Sequence, residues 1–190
     1  VELHGAHGYI LCQFLSAEIN KREDGYGGSL ENRARPLMEA IKGIRQRCRS
    51  DFQLGVRLSP ERFGMNIVEA RTLAAQLMQG GQLDYLDMSL WDCFKEPEDA
   101  AFKGKSLLAW FTEIERGSCR LGVAGKIMRP SQVQQILDGG ADFALLGRAA
   151  ILVHDFPNRA RTGEFAPPKL PVTRAHLRGE YLSETFVDYM

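Results

Sequence analysis

The chain has 190 residues, of which 44% are hydrophobic and 25% are charged, which is typical of one globular domain with a sizeable core. Its 24 basic and 24 acidic side chains give a net charge of zero, so no overall field favours nucleic acid or an anionic membrane surface. No apolar run approaches the roughly 20 residues of a membrane-spanning helix.

The cysteines stand far apart, with no C-x-x-C pair, at Cys12, Cys48, Cys93 and Cys119. This spacing argues against a zinc or iron–sulfur site and favours reduced thiols, so we expect no bound metal. The first residues also lack the basic and apolar regions of a secretory signal. We therefore expect a cytoplasmic protein with neither a nucleic-acid partner nor a membrane partner.

Strand-like and helix-like segments alternate along the chain. The strand-like runs are Val1–His4, Gln53–Ser59, Tyr85–Leu90, Leu121–Ala124 and Phe143–Leu146. Helical spacing and cap residues predict four helices: one capped by Ser29 or Asn32, one after Asn66 with a stop at Gly80-Gly81, one over Ser106–Arg116 and one over Ser131–Asp138. The alternation predicts parallel strands joined by right-handed helical crossovers.

A Pro-rich connector, Phe165–Pro171, precedes a last predicted helix around Thr173–Tyr189. We therefore divide the chain into the βα region, residues 1–164, and a connector with a terminal helix packed outside it, residues 165–190. An open doubly wound sheet accepts five strands, whereas a closed βα barrel needs three more. The pattern of elements alone leaves both architectures open.

The opening sequence VELHGAHGY ends a predicted strand in two imidazoles and a phenol. Turns at the glycines are expected to bring His7 and Tyr9 close to the point where His4 leaves the strand. Two neutral hydrogen-bond donors beside a weak acid can hold a carbonyl oxygen and protonate the carbon next to it. A glycine-rich turn that carries histidines incidentally is the alternative.

Two later strands end in a glycine followed by a basic residue, Gly125-Lys126 and Gly147-Arg148. Glycine lets the backbone approach a ligand closely, and a helix N-terminus offers free N–H groups to an anion. Either turn alone is better explained as a turn with a solvated base. Together they favour a phosphate site like that of the last two loops of a βα barrel.

Arg57 lies inside the apolar strand QLGVRLS, where alternation places it on the face opposite its apolar neighbours. A buried charge is costly unless it is paired. An ion pair with Glu2 or Asp87 is one explanation, and contact with the electron-rich edge of a cofactor is another. The two explanations are compatible.

Five blocks of sequence together resemble one protein family. They are HGAHGYILCQFLS at His4–Ser16, NKREDGYGGSLENR at Asn20–Arg33, GVRLS at Gly55–Ser59, AGK at Ala124–Lys126 and GR at Gly147-Arg148. In this order and spacing they are similar to the old yellow enzyme family of FMN-dependent NADH:flavin oxidoreductases. The resemblance implies a TIM (β/α)8 barrel of which this chain supplies about strands 4 to 8, plus a C-terminal helix. We therefore expect the C-terminal part of a longer protein.

The resemblance also implies catalytic roles. His4 and His7 would hydrogen-bond the carbonyl oxygen of an unsaturated substrate, and Tyr9 would donate the proton, since a phenol is protonated at neutral pH. Arg57 would lie near the pyrimidine side of the flavin and favour negative charge on it when reduced. NADH or NADPH would reduce FMN, which would pass hydride to a small α,β-unsaturated carbonyl compound.

Gly125, Lys126, Gly147 and Arg148 would hold the FMN phosphate, chiefly through backbone N–H groups. Lys126 stands where the family usually has Gly or Asn, so its backbone is expected to matter more than its ammonium group. The segment Asn20–Arg33 is assigned to the scaffold rather than to chemistry. The sequence leaves a homo-oligomer open.

Two alternatives to an active flavoenzyme remain. One is an aldolase-like barrel that acts on a phosphorylated substrate without flavin. The sequence disfavours it, because no lysine stands at a predicted strand end in a good position for a Schiff base, and Lys126 is the only candidate. The other is an incomplete, inactive fragment of a flavin oxidoreductase.

Overall fold

A computed structural model describes all residues from 1 to 190. One parallel sheet contains five strands, β1 (Glu2–Gly5), β2 (Gly55–Leu58), β3 (Tyr85–Ser89), β4 (Arg120–Ala124) and β5 (Phe143–Leu145). Each strand pairs in parallel with the next strand along the chain. A doubly wound sheet reverses its strand order at a switch point, whereas a βα barrel advances in one direction. The sheet order therefore matches the barrel and contradicts the doubly wound alternative.

The helices fall between and after the strands. They are α1 (Ile10–Leu15), α2 (Leu30–Arg47), α3 (Ile67–Gln79), α4 (Leu107–Thr112), α5 (Pro130–Asp138), α6 (Arg148–Leu152), α7 (Phe156–Ala160), α8 (Arg174–Gly179) and α9 (Glu184–Tyr189), with a 3₁₀ turn at Ala100–Phe102. The predicted caps of the two longest are confirmed: the side chains of Ser29 and Asn66 accept hydrogen bonds from backbone N–H groups in the first turns of α2 and α3. None of the helices combines the length and apolar character needed to cross a bilayer.

The two faces of the sheet have different surroundings. Val56 and Leu58 on β2, and Leu86 and Met88 on β3, are buried in the main hydrophobic cluster together with residues of the helices. Alternate strand positions face the other way, toward the barrel interior. A Cβ atom at Gly55 would overlap the ring of Tyr85, so this glycine makes room for an aromatic side chain that fills the amino-terminal end of the interior.

The prediction of one helix around Thr173–Tyr189 is wrong, because the structure divides this segment into α8 and α9. Tyr181 adopts a left-handed backbone conformation, with φ of +64°. The carboxylate of Glu180 accepts a hydrogen bond of 2.8 Å from the backbone N–H of His154. This contact with the chain preceding α7 holds Glu180 in the turn between α8 and α9. A continuous helix would place Glu180 in a different position.

The connector and the last helices pack against α6 and α7. The ring of Phe165 lies 4.9 Å from that of Phe156, measured between centroids. The imidazole Nε2 of His176 in α8 lies 2.9 Å from the carbonyl oxygen of Leu152 in α6. The terminal segment therefore covers the outside of the last βα unit.

Candidate active site

The carboxyl end of β1 brings the two imidazoles and the phenol together. The ring centroid of His4 lies 5.2 Å from that of His7 and 5.0 Å from that of Tyr9. The turn between them requires left-handed backbone at His7, with φ of +59°, and at Gly8, with φ of +75°. The backbone N–H of His7 donates to the hydroxyl of Ser59 at 3.1 Å, which ties the turn to the end of β2. The predicted clustering of these three side chains is thus present.

Both imidazoles are in a setting that disfavours their charged form. Burial, and then the nearby charge of Arg57, lower the pKa of His4 and of His7 below the ordinary value. His4 Nδ1 accepts a long hydrogen bond of 3.4 Å from the backbone N–H of Ala6, so its neutral form carries the hydrogen on Nε2. At neutral pH the pair therefore offers uncharged N–H donors.

A cavity of about 410 Å³ opens at the carboxyl ends of the strands. It is lined by most of the predicted site residues: His7, Arg57, Gly125, Lys126, Gly147 and Arg148. His4 and Tyr9 stand beside this lining through their ring contacts, and Tyr9 is 61% exposed. The predicted site residues therefore lie together at the carboxyl ends of the strands.

The first glycine turn is braced by the loop that follows β3. Gly125 has a φ of +151°, and Cβ at this position would lie only 2.8 Å from the backbone nitrogen of Cys93. Cys93 N–H donates to the carbonyl oxygen of Gly125 at 3.3 Å. The ammonium of Lys126 contacts a carboxylate oxygen of Asp92 at 2.9 Å. The side chain of Lys126 is therefore ion-paired within the protein.

The second glycine turn leads directly into a helix. Gly147 is the N-cap of α6, and Arg148 is its first residue. The first N–H groups of a helix have no acceptor within it, so they are available to an anion at this end of the cavity. A Cβ atom at Gly147 would meet no protein atom within 4 Å. The space beside Gly147 is therefore open toward a ligand.

Of the two partners considered for Arg57, Asp87 makes the ion pair. Arg57 Nε lies 3.0 Å from Asp87 Oδ2. Its single hydrogen is donated to the hydroxyl of Ser89 at 2.6 Å, so the contact with Asp87 is one of charge rather than a hydrogen bond. The two Nη groups of Arg57 have no hydrogen-bond partner in the protein and remain available to a ligand.

Sequence reasoning missed Ser89 and Trp91, which also line the cavity. Trp91 has left-handed backbone, with φ of +61°, which is rare for a bulky residue. The guanidinium carbon of Arg62 lies 4.6 Å from the centroid of the indole ring. Both residues stand at or just after the end of a predicted strand, the position at which barrel enzymes place functional side chains. That signal was available in the sequence.

The segment Asn20–Arg33 serves the scaffold. Arg33 is 3% exposed, and its guanidinium donates to the carbonyl oxygens of Leu15 and of Gly28, the latter at 3.0 Å, and to the carboxylate of Glu69. The amide of Asn20 closes the loop by donating to two backbone carbonyls. No residue of this segment lines the cavity.

Sequence comparison defines the class of protein. The model of the NADH:flavin oxidoreductase / NADH oxidase family matches residues 1–165. The chain belongs to this family, whose cofactor is FMN and whose reductant is NADH or NADPH. The aldolase-like alternative is therefore wrong.

Individual relatives agree with this assignment. An NADH oxidase of Thermoanaerobacter brockii is 31% identical over 170 residues, which cover 86% of this chain and 26% of the relative. 12-Oxophytodienoate reductase 1 of Oryza sativa subsp. japonica is 33% identical over 163 residues, which cover 84% of this chain and 42% of the relative. The chain thus spans between a quarter and a half of these relatives.

A solved structure of morphinone reductase in complex with tetrahydroNAD superposes with a TM-score of 0.70 at 29% identity. The superposition covers 93% of this chain and 46% of that structure. Together with the sequential parallel sheet, this confirms the predicted fold class, consecutive units of a TIM (β/α)8 barrel.

The cavity suits the cofactor of the family. None of its lining residues carries a carboxylate. Of the three cations in the lining, Arg57 and Lys126 each have a carboxylate partner outside it, whereas Arg148 forms no ion pair within the protein. Leu145 and Leu146 add apolar surface to the lining. An anionic phosphate joined to a flat, largely apolar ring system matches this distribution of charge and apolar surface.

Proposed function

We propose that the protein is an FMN-dependent ene-reductase that uses NADH or NADPH to reduce α,β-unsaturated carbonyl compounds. The observation that carries the proposal is the clustering of His4, His7 and Tyr9 at the mouth of a cavity that suits FMN. Bound FMN supplies the hydride for the β-carbon of the substrate. The residues of the chain hold the substrate and move the proton.

His4 and His7 hold the carbonyl oxygen. Their rings meet edge to face, with centroids 5.2 Å apart, and burial together with the charge of Arg57 keeps them neutral at pH 7. Neutral N–H donors aimed at one oxygen stabilise the negative charge that grows there as the β-carbon accepts hydride. Removal of one such donor commonly costs about 3–4 kcal/mol in the transition state.

Tyr9 donates the proton to the α-carbon. Its ring lies 5.0 Å from that of His4, which places the phenol next to the group that holds the oxygen. The α-carbon is bonded to the carbonyl carbon, so a donor in this position is within reach of it. The exposure of Tyr9 leaves its hydroxyl open toward substrate.

The cofactor is held at its two ends by different groups. Backbone N–H groups of Gly125, Lys126, Gly147 and Arg148 would bind the phosphate of FMN, and the charge of Arg148 would add to their attraction. Arg57, whose Nη groups have no hydrogen-bond partner in the protein, would hold the pyrimidine side of the flavin. The support for this arrangement is that these residues line one cavity whose surface has no carboxylate.

The role of Tyr9 is tested by measuring the two half-reactions separately in flavin-loaded protein. In Tyr9→Phe, reduction by NAD(P)H is expected to stay within about twofold of wild type. Reoxidation by 2-cyclohexenone is expected to slow about 10²–10⁴-fold, because general acid catalysis is lost. The matched control is Tyr189→Phe, which alters a tyrosine that is 84% exposed near the C-terminus. Equal losses in both half-reactions would remove Tyr9 from the donor role.

A further inference from the structure

Asp87 is a buried carboxylate that the proposed chemistry does not use. Its side chain is fully buried on β3, and neither carboxylate oxygen accepts a hydrogen bond. On the neighbouring strands it is in register with Arg57 of β2 and with Gly122 of β4. A buried carboxylate without hydrogen-bond donors is costly and calls for an explanation.

Arg57 lies between this carboxylate and the cavity. Arg57 lines the cavity, whereas Asp87 does not. The hydroxyl of Ser89 takes the only Nε hydrogen of Arg57, so Asp87 acts on the guanidinium by charge alone, at 3.0 Å. Any ligand beside the Nη groups of Arg57 therefore meets the combined charge of the guanidinium and of the carboxylate behind it.

The other charged groups around Asp87 are few. Glu2 faces it from β1, Tyr85 lies two residues before it on its own strand, and β4 presents only Gly122. Burial raises the pKa of Asp87 to about 7, with Arg57 opposing the rise and Glu2 adding to it. The carboxyl group therefore gains or loses its proton near neutral pH.

We propose that Asp87 is a positioning residue that sets, through Arg57, the charge offered to the bound flavin. The inference rests on the proposed function and deepens it. With Asp87 ionised, the pair is nearly neutral and gives little support to negative charge on the flavin. With Asp87 protonated, the full charge of Arg57 favours the reduced, negatively charged flavin. Asp87 itself makes and breaks no bond except that to its own proton.

The test is the midpoint potential of protein-bound FMN between pH 5.5 and 8.5, in wild type and in Asp87→Asn. At pH 8.5 the variant is expected to favour the reduced flavin at least tenfold more than wild type, or about 30 mV for a two-electron couple. At pH 5.5, where Asp87 is protonated in wild type, the two proteins are expected to agree. A difference within twofold at every pH, with FMN still bound, overturns the role of Asp87 and leaves the proposed function standing.

An infrared titration of the flavin-free protein gives a readout that does not depend on activity. Wild type is expected to show a carboxylic-acid carbonyl band that disappears as the pH rises through about 7, and Asp87→Asn is expected to lack it. Absence of this band in wild type overturns the inference.

Glu2→Gln provides a second variant should Asp87→Asn fail to fold. Because Glu2 raises the pKa of Asp87, removing the charge of Glu2 is expected to move the titration of the carbonyl band to lower pH. The pH at which the midpoint potential of FMN responds to ionisation of Asp87 should fall with it. An unmoved titration overturns the inference. Failure of wild type to bind FMN at all overturns the proposed function and this inference with it, and is recognised by the missing flavin spectrum.

Discussion

Replacement of Gly125 by alanine would place a methyl group against the backbone of the loop that follows β3. A Cβ atom there lies 2.8 Å from the backbone nitrogen of Cys93 and 3.1 Å from that of Asp92. Neither is the end of a flexible side chain, so the loop itself has to shift. The φ of +151° is also a conformation that is nearly restricted to glycine.

The chain offers a control that separates these two costs. Gly163 has almost the same φ, +152°, but Cβ at this position would meet nothing within 4 Å. Gly163→Ala therefore bears the conformational cost alone, about 1–3 kcal/mol. Gly125→Ala adds the cost of overpacking, about 1–3 kcal/mol more. In a protein of this size each kcal/mol lowers the melting temperature by about 2–4 °C.

Thermal unfolding and FMN fluorescence titration of both variants test this reasoning. Gly125→Ala is expected to melt at a clearly lower temperature than Gly163→Ala and to bind FMN at least tenfold more weakly, because its glycine turn moves. Gly163→Ala is expected to keep wild-type affinity for FMN. Equal melting temperatures of the two variants would refute the cost of overpacking at Gly125. Unchanged affinity for FMN in Gly125→Ala would refute the link between this turn and the phosphate site.

Three further predictions follow from the contacts already described. Asn66→Ala removes the 2.8 Å hydrogen bond that the Asn66 side chain accepts from the backbone N–H of Glu69. The substitution should lower the free energy of unfolding, measured with urea, by about 0.5–2 kcal/mol. Arg33→Met leaves the carboxylate of Glu69 without its cation and should cost about 3–5 kcal/mol, of which Glu69→Gln in the same protein restores part. Because burial and then the charge of Arg57 lower the pKa of His7, Arg57→Gln should raise the midpoint of the His7 NMR titration; an unchanged midpoint would mean that Arg57 has no electrostatic effect there. In wild type, binding of substrate through neutral His7 should hold at pH 7 and weaken only as the pH falls below that lowered pKa.

Local signals explain why much of the fold is predictable. Asn66 and Gly80 bound a periodic apolar segment, and the structure places α3 between them, over Ile67–Gln79. The clustering of His4, His7 and Tyr9 depends on one strand end and one short turn, so it too follows from local sequence.

Structural features that depend on contacts between residues distant in sequence could not be predicted from the sequence pattern. The break between α8 and α9 is held by Glu180, which accepts a hydrogen bond from His154 in another part of the chain. The position of Trp91 depends on Arg62, which lies 29 residues earlier and packs over its ring. The short helices α6 and α7 have five residues each, too few to show a helical period.

The proposed flavin site would hold the phosphate of FMN between the turns at Gly125-Lys126 and Gly147-Arg148. Fluorescence titration of the purified protein with FMN and with riboflavin tests it directly, because the two ligands differ only in the phosphate. We expect FMN to bind at least 100-fold more tightly than riboflavin, and we expect Arg148→Ala to reduce this ratio of affinities. Equal affinity for the two ligands would contradict it.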